Sequence, residues 1–180
     1  MFEDAFAYLG LQFAKFQFRS DIDQVQPMTE FFRGAKKILI TLPTGYEDAL
    51  LAGNALRDFR DRLNHLHLTV INNSTRATLL ANFPKCEVVR IDPNDINRFS
   101  LPTKTLLQRI FHCQYEVAVD LNLDFVLHTA YICKASRAKV RVGFVNPASD
   151  LFFNVLINLN KARKTPQVLY EKFAEILAMF

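Results

Sequence analysis

The sequence predicts an α/β protein: a Rossmann-like three-layer sandwich on a mostly parallel sheet of roughly five to seven strands, preceded by an N-terminal amphipathic helix. Three observations lead there. Short apolar runs rich in β-branched residues recur along the chain and read as buried strands. Stretches with apolar residues at helical spacing separate them, and such alternation implies right-handed crossovers and parallel pairing. Half of the 180 residues are hydrophobic, enough to bury one substantial core. The expected organisation is a helix and connector over residues 1–35 and a single α/β domain over 36–180.

Phe2, Phe6, Leu9, Phe13 and Phe16 fall on one face of a helix covering the first eighteen residues. That stripe is expected to dock on the protein's own sheet or on a second copy; a membrane-surface role is the alternative. Ser20 to Met28 is polar and reads as a connector. Ile38-Leu39-Ile40-Thr41-Leu42 is the first strand, broken by Pro43, Thr44 and Gly45. Asp48 then precedes Ala49-Leu50-Leu51-Ala52, where a helix to Arg62 begins, with its charges outward.

Leu66 to Ile71 is a second strand, and Ser74 or Thr75 can cap a short helix that Pro84 terminates. Glu87 to Ile91 is a third strand, closed by Asp92-Pro93-Asn94-Asp95. Leu106, Leu107, Ile110 and Phe111 mark a helix, and Tyr115 to Leu121 a fourth strand with Asp120 at its carboxyl end. A helix over 125–136 leads to a fifth strand, Lys139 to Phe144, whose alternation places it near a sheet edge. Gly143 is expected to allow a close turn, and Asn146-Pro147 to stiffen the next loop. Residues 150–159 are apolar but punctuated by asparagine and carry no clear period. Thr165-Pro166 begins a final helix with Val168, Leu169, Phe173, Ile176 and Leu177 inward.

Composition excludes several classes. The net charge of +4 is spread along the chain, which does not specify nucleic acid, and Lys161-Ala162-Arg163-Lys164 reads as a solvated loop or helix entry. Cys86, Cys113 and Cys133 form no Cys-x-x-Cys pair, and His65, His67, His112 and His128 show no ligand spacing. No metal and no cofactor are expected. No apolar run is long enough to span a bilayer, and Glu3 and Asp4 are the wrong charge for a signal-peptide start. The expectation is a cytoplasmic protein with at most peripheral membrane association.

Chemistry concentrates where strands meet helix starts. Leu42-Pro43-Thr44-Gly45-Tyr46-Glu47-Asp48 has neither the Gly-Lys-Ser/Thr of a phosphate loop nor the three glycines of a dinucleotide fingerprint. Asp48 is either the N-cap of the following helix or a general base at the sheet rim. Beside Glu47 it can be held ionised by the helix dipole or have its pKa raised by repulsion. Asp120 either accepts backbone N–H bonds or contacts a ligand, with Asn122 and Asp124 close behind it.

Taken in order, three segments resemble the N-terminal domain of the heptosyltransferase family, glycosyltransferase family 9, which has the two-domain GT-B architecture. Glu47-Asp48-Ala49-Leu50-Leu51-Ala52 with Ala55-Leu56 fills the place of that family's Gly-Asp and helix start. Tyr115-Glu116-Val117-Ala118-Val119-Asp120-Leu121 is similar to its aromatic-Asp-x-x-Ile-Asp-Leu strand, and Ser136-Arg137-Ala138-Lys139-Val140-Arg141-Val142-Gly143-Phe144 to its Ala-Lys-x-Arg-x-Gly-Phe segment. The resemblance implies that Asp48 stands where the catalytic base deprotonates an acceptor sugar hydroxyl for attack on an ADP-linked heptose. It implies acceptor contacts at Thr44, Gly45, Glu47, Asp120 and Asn122. Glu47 replaces the family's glycine, and the chain ends where the nucleotide-sugar domain would begin.

Three functions are therefore expected in competition. One is a binding or scaffold domain without sugar-transfer activity of its own. A second is the acceptor half of a heptosyltransferase, acting on a sugar or lipid-linked sugar and completed by a separate donor-domain protein. The third is a homodimeric interaction module built on the Phe-rich helix.

Overall fold

The computed structural model describes residues 2–21, 23, 35–58, 66–73, 86–159 and 165–178. The expected short helix after Ser74, the end of the helix at Arg62, most of the connector and the Lys161 to Lys164 cluster lie outside the described residues.

The architecture is a six-stranded parallel sheet with helices on both faces and a separate N-terminal helix. In chain order the elements are α1 (Phe2–Phe18), β1 (Lys37–Thr41), α2 (Tyr46–Asp58), β2 (His67–Asn73), β3 (Cys86–Ile91), α3 (Lys104–Ile110), β4 (Val117–Asp120), α4 (Leu127–Ala135), β5 (Val140–Phe144), α5 (Ser149–Phe152), β6 (Val155–Ile157) and α6 (Pro166–Ala178). The strands lie in the order β3-β2-β1-β4-β5-β6. The chain thus builds outward from β1 in one direction, returns to β4 on β1's other side, and builds outward in the opposite direction.

Period-two alternation divides the core. Ile38, Ile40 and Leu42 of the first strand face one layer, with Val117, Val119, Val142 and Phe144, against α2 and the Leu169, Tyr170 and Phe173 stripe of α6. Leu39 and Ala118 face the other layer, closed by Leu106 and Ile110 of α3, Ala130, Ile132 and Cys133 of α4, and Ala14 and Phe18 of α1. Strands with both faces covered have no polar side, which is why the sequence shows them as continuous apolar runs.

Several expectations are corrected by the packing. The fifth strand is near the sheet edge, as expected, but is itself buried throughout: the three-residue β6, in the stretch without a clear period, lies outside it. Its alternation misleads because Arg141 is buried rather than solvated. Arg141 Nε donates to Phe152 O at 2.9 Å, Nη1 donates to Ala138 O at 2.7 Å, and Nη2 pairs with Asp23 of the connector. Lys134, equally buried, reaches the same carboxylate at 3.4 Å. Gly143 makes no turn; it lies within β5, and a Cβ there would stand 2.7 to 2.8 Å from the Phe153 ring.

Of the partners expected for the α1 stripe, the protein's own sheet is not the one that takes it, because the helix docks through another face. Gly10, Ala14 and Phe18 face inward, and Gly10 sits against the Phe99 carbonyl so closely that a Cβ would overlap it. Phe18 packs on Tyr131 at 5.1 Å between ring centroids, and the Tyr131 hydroxyl donates to Gln17 at 2.8 Å. Leu9, Phe13 and Phe16 are exposed. Small residues let the helix approach closely, and closeness selected that face over the aromatic one. Among the described residues no helix is long and apolar enough to cross a membrane.

Candidate functional site

In a sheet that builds outward both ways, the helices following its two central strands leave on opposite faces, and a crevice opens at the carboxyl ends between them. Here that point lies between β1 and β4. Residues 42–45 lead into α2 on one face, and residues 121–126 lead into α4 on the other. Thr41 pairs in register with Asp120 at the last rung.

Asp120 ties the two rim loops together. Thr41 Oγ1 donates to its Oδ1 at 2.9 Å, Asn122 N at 3.0 Å and Asn122 Nδ2 at 2.6 Å, while Thr129 Oγ1 reaches its Oδ2 at 2.9 Å. Asn122 Oδ1 in turn accepts from Thr44 N at 3.0 Å, so the loop after β4 holds the loop after β1. Burial raises the Asp120 pKa, opposed by the donors of Asn122, Thr41 and Thr129. From the other layer, the Tyr170 hydroxyl donates to Leu121 O at 3.1 Å, and Asn146 Nδ2 donates to Leu123 O at 3.0 Å.

Asp48 is not the N-cap. Helix α2 starts at Tyr46, and the first intrahelical bond runs from Ala49 N to the Gly45 carbonyl at 2.9 Å, which makes Gly45 the cap and puts Asp48 in the first turn. Its side chain turns back toward Gly45, where a Cβ would lie 3.6 Å from Asp48 Oδ2. Asp48 is half-buried and its pKa is raised, first by desolvation and then by the charges of Asp124 and Glu47. Burial first and repulsion second thus disfavour the anion, against the pull of the helix dipole, which favours it. Glu47 and Tyr46 are exposed beside it.

On the α4 side a small cleft is lined by Pro43, Thr44, Asn72, Ile91, His128 and Thr129. His128 stands in the first turn of α4, and burial lowers its pKa to about 4, leaving a neutral imidazole that can both donate and accept a hydrogen bond. The cleft and the acidic lip are separated by the Thr44 and Asn122 bridge.

The predicted residues Thr44, Gly45, Glu47, Asp48, Asp120 and Asn122 thus converge on one crevice. They divide by role: Asp120 is enclosed by its own donors and holds the loops, whereas Asp48 and Glu47 stand at the lip. Sequence reasoning missed Thr41, His128, Thr129 and Tyr170. A threonine ending an otherwise apolar strand was the only available signal, since the others reach the crevice from helices 80 or more residues later in the chain than β1. Among the described residues no group of three His, Cys, Asp or Glu side chains could hold a metal ion, and the three cysteines are free thiols.

No protein-family model matches the sequence, and no curated protein matches it. Solved structures do. The E. coli heptosyltransferase WaaC with ADP superposes with a TM-score of 0.61 at 14% identity, over 78% of this chain and 46% of that one. A glycosyl transferase family 9 structure from Veillonella parvula superposes with a TM-score of 0.64 at 16% identity, over 81% of this chain and 42% of that one. This chain spans less than half the length of either. At such identities the likeness is one of fold, and it is a glycosyltransferase-like fold that the chain shares.

Proposed function

We propose that this chain is a glycosyltransferase-like domain that binds a hydroxyl-rich ligand, a sugar or lipid-linked sugar, in the crevice between the β1 and β4 loops. The observation that carries the reading is Asp48: a half-buried carboxylate of raised pKa on the rim where Asp120 and Asn122 tie the β1 and β4 loops together. The fold likeness supports it, as does the exposed Tyr46 ring in the same first turn of α2, a surface on which the C–H face of a sugar can pack.

Asp48 would take the proton of one ligand hydroxyl, since a carboxylate whose pKa is raised toward neutrality is a better base. Transfer needs more than a base. The hydroxyl oxygen would attack the anomeric carbon of a nucleotide-linked sugar as the bond to the diphosphate breaks, and the departing charge must be stabilised. The family resemblance assigns that task to a second domain, so binding is the activity proposed for these residues alone. A second reading, favoured by the raised pKa of Asp48, is the acceptor half of a transferase completed by a donor domain in the same or another polypeptide.

Saturation-transfer difference NMR tests the binding. The panel comprises monosaccharides, heptose-containing core oligosaccharides and ADP-heptose. The expected result is a core oligosaccharide signal that Asp48→Asn weakens and Asn122→Ala abolishes. Binding of the sugar nucleotide only, or binding indifferent to both substitutions, would overturn the reading.

A further inference from the structure

The outward face of α1 has no role in the crevice and is too apolar for an ordinary solvated helix. Leu9, Phe13 and Phe16, at steps of four and three, are 52%, 54% and 64% exposed, with Tyr8 on their flank at 61%. With roughly 150–250 Å² available per aromatic side chain, they present on the order of 400–500 Å² of apolar surface, the scale of a functional patch. The opposite face is committed to the protein through Gly10, Ala14 and Phe18, so the helix cannot roll over to hide the stripe.

We propose that this face seats α1 in the plane of an anionic lipid surface. The rim of the stripe chooses between occupants. Arg19, just past the end of the helix, borders it on one side and lies over the Phe16 ring at 4.3 Å, with Lys15 in the same last turn. On the other side Arg98, from the turn before α3, lies over Phe6 at 5.5 Å and over Phe99 at 4.9 Å. The acidic residues of the helix, Glu3 and Asp4, are confined to its first turn, at the end away from Phe13 and Phe16. The Phe13 and Phe16 end is therefore apolar with a basic rim, the pattern that couples side-chain insertion to attraction by anionic headgroups. A second copy fits less well. Two such stripes would bury about 900 Å², below the usual range for a stable interface, and would bring two basic rims together.

The inference stands apart from the crevice and fails separately from it. Sedimentation of the full chain with vesicles, of phosphatidylcholine alone or with about one third phosphatidylglycerol, reads it directly. The expected result is binding to the anionic vesicles only, weakened at about 0.5 M salt. Phe13→Asp with Phe16→Asp should lower the bound fraction at least tenfold, and Arg19→Glu with Arg98→Glu several-fold. These positions are exposed, so circular dichroism and saccharide binding should be unchanged in both variants. Equal binding to both vesicles, indifference to the Phe13 and Phe16 pair, or a dimer dissociated by that pair without any vesicle binding would each overturn it.

Discussion

Thr41 and Asp120, 79 residues apart in sequence, meet at the carboxyl ends of neighbouring strands, where the threonine hydroxyl donates to the carboxylate at 2.9 Å. Because Asn122 and Thr129 share the same acceptor, Asp120→Ala would strand several buried donors at once. The expected loss is about 2–4 kcal/mol of unfolding free energy in urea titrations, with Asp120→Asn costing less because one oxygen remains. A loss below about 0.5 kcal/mol for the alanine variant would show that the network does not hold the rim.

Asp48 should titrate above the ordinary 3.8 of an aspartate, because desolvation and then the charges of Asp124 and Glu47 disfavour its anion. Carbonyl-carbon NMR titration measures this directly. Asp124→Asn removes one repulsive charge and should move the Asp48 midpoint down without returning it to 3.8, since desolvation is the larger cause. An unmoved midpoint would mean that the two carboxylates do not share the lip.

His128 makes stability depend on pH with a definite sign. Its pKa falls from 6.5 to about 4 on folding, so between those values the unfolded chain binds a proton that the folded chain does not. Stability should therefore fall as pH drops from about 6.5 to about 4, by about 1–3 kcal/mol after allowing for partial solvent access, and this group contributes no further loss below that. His128→Gln, unable to take the proton, should flatten that part of the profile in urea melts at several pH values. An unchanged slope would place the acid sensitivity elsewhere.

Asp23 fastens the connector to the sheet. Burial acts to raise its pKa, but the hydrogen bond and charge of Arg141, with those of Lys134, lower it overall. Its stabilisation is thus complete above the ordinary carboxylate value and lost only as pH falls through the lowered one. Asp23→Ala leaves two buried cations without their carboxylate, and because Asp23 is partly exposed the expected cost is about 1–3 kcal/mol. Hydrogen exchange should show faster opening of α1 in this variant than of β1 or β4, and equal acceleration throughout would contradict the fastening role.

How much of this was legible in the sequence follows from what each residue reports locally. Short runs rich in β-branched residues named five of the six strands; β1 and β4, covered on both faces, left the most continuous apolar marks, and β5 showed through its alternation. β6 left none: three residues after Asn154 carry too little period to register. Arg141 made one face of β5 look solvated, since sequence cannot reveal that carbonyls of Ala138 and Phe152 and a distant Asp23 will enclose a guanidinium. The stripe of α1 was found but its direction was not, because the docked face is marked by Gly10 and Ala14, which are small rather than hydrophobic. Asp48, Asp120 and Asn122 were legible as strand-end and helix-start residues; their division into lip and tie was not, for it depends on the register of β1 with β4.

That register also has a kinetic meaning. Strands β1, β2 and β3 pair with neighbours close in sequence, as do β4, β5 and β6, so each half of the sheet can form from comparatively local contacts. The seam between β1 and β4 closes a far longer loop, and such pairings are slow. The crevice lies over that seam. Any ligand that spans its two loops joins halves that assemble separately, and it should therefore slow the unfolding of the whole chain by clamping the contact that takes longest to make.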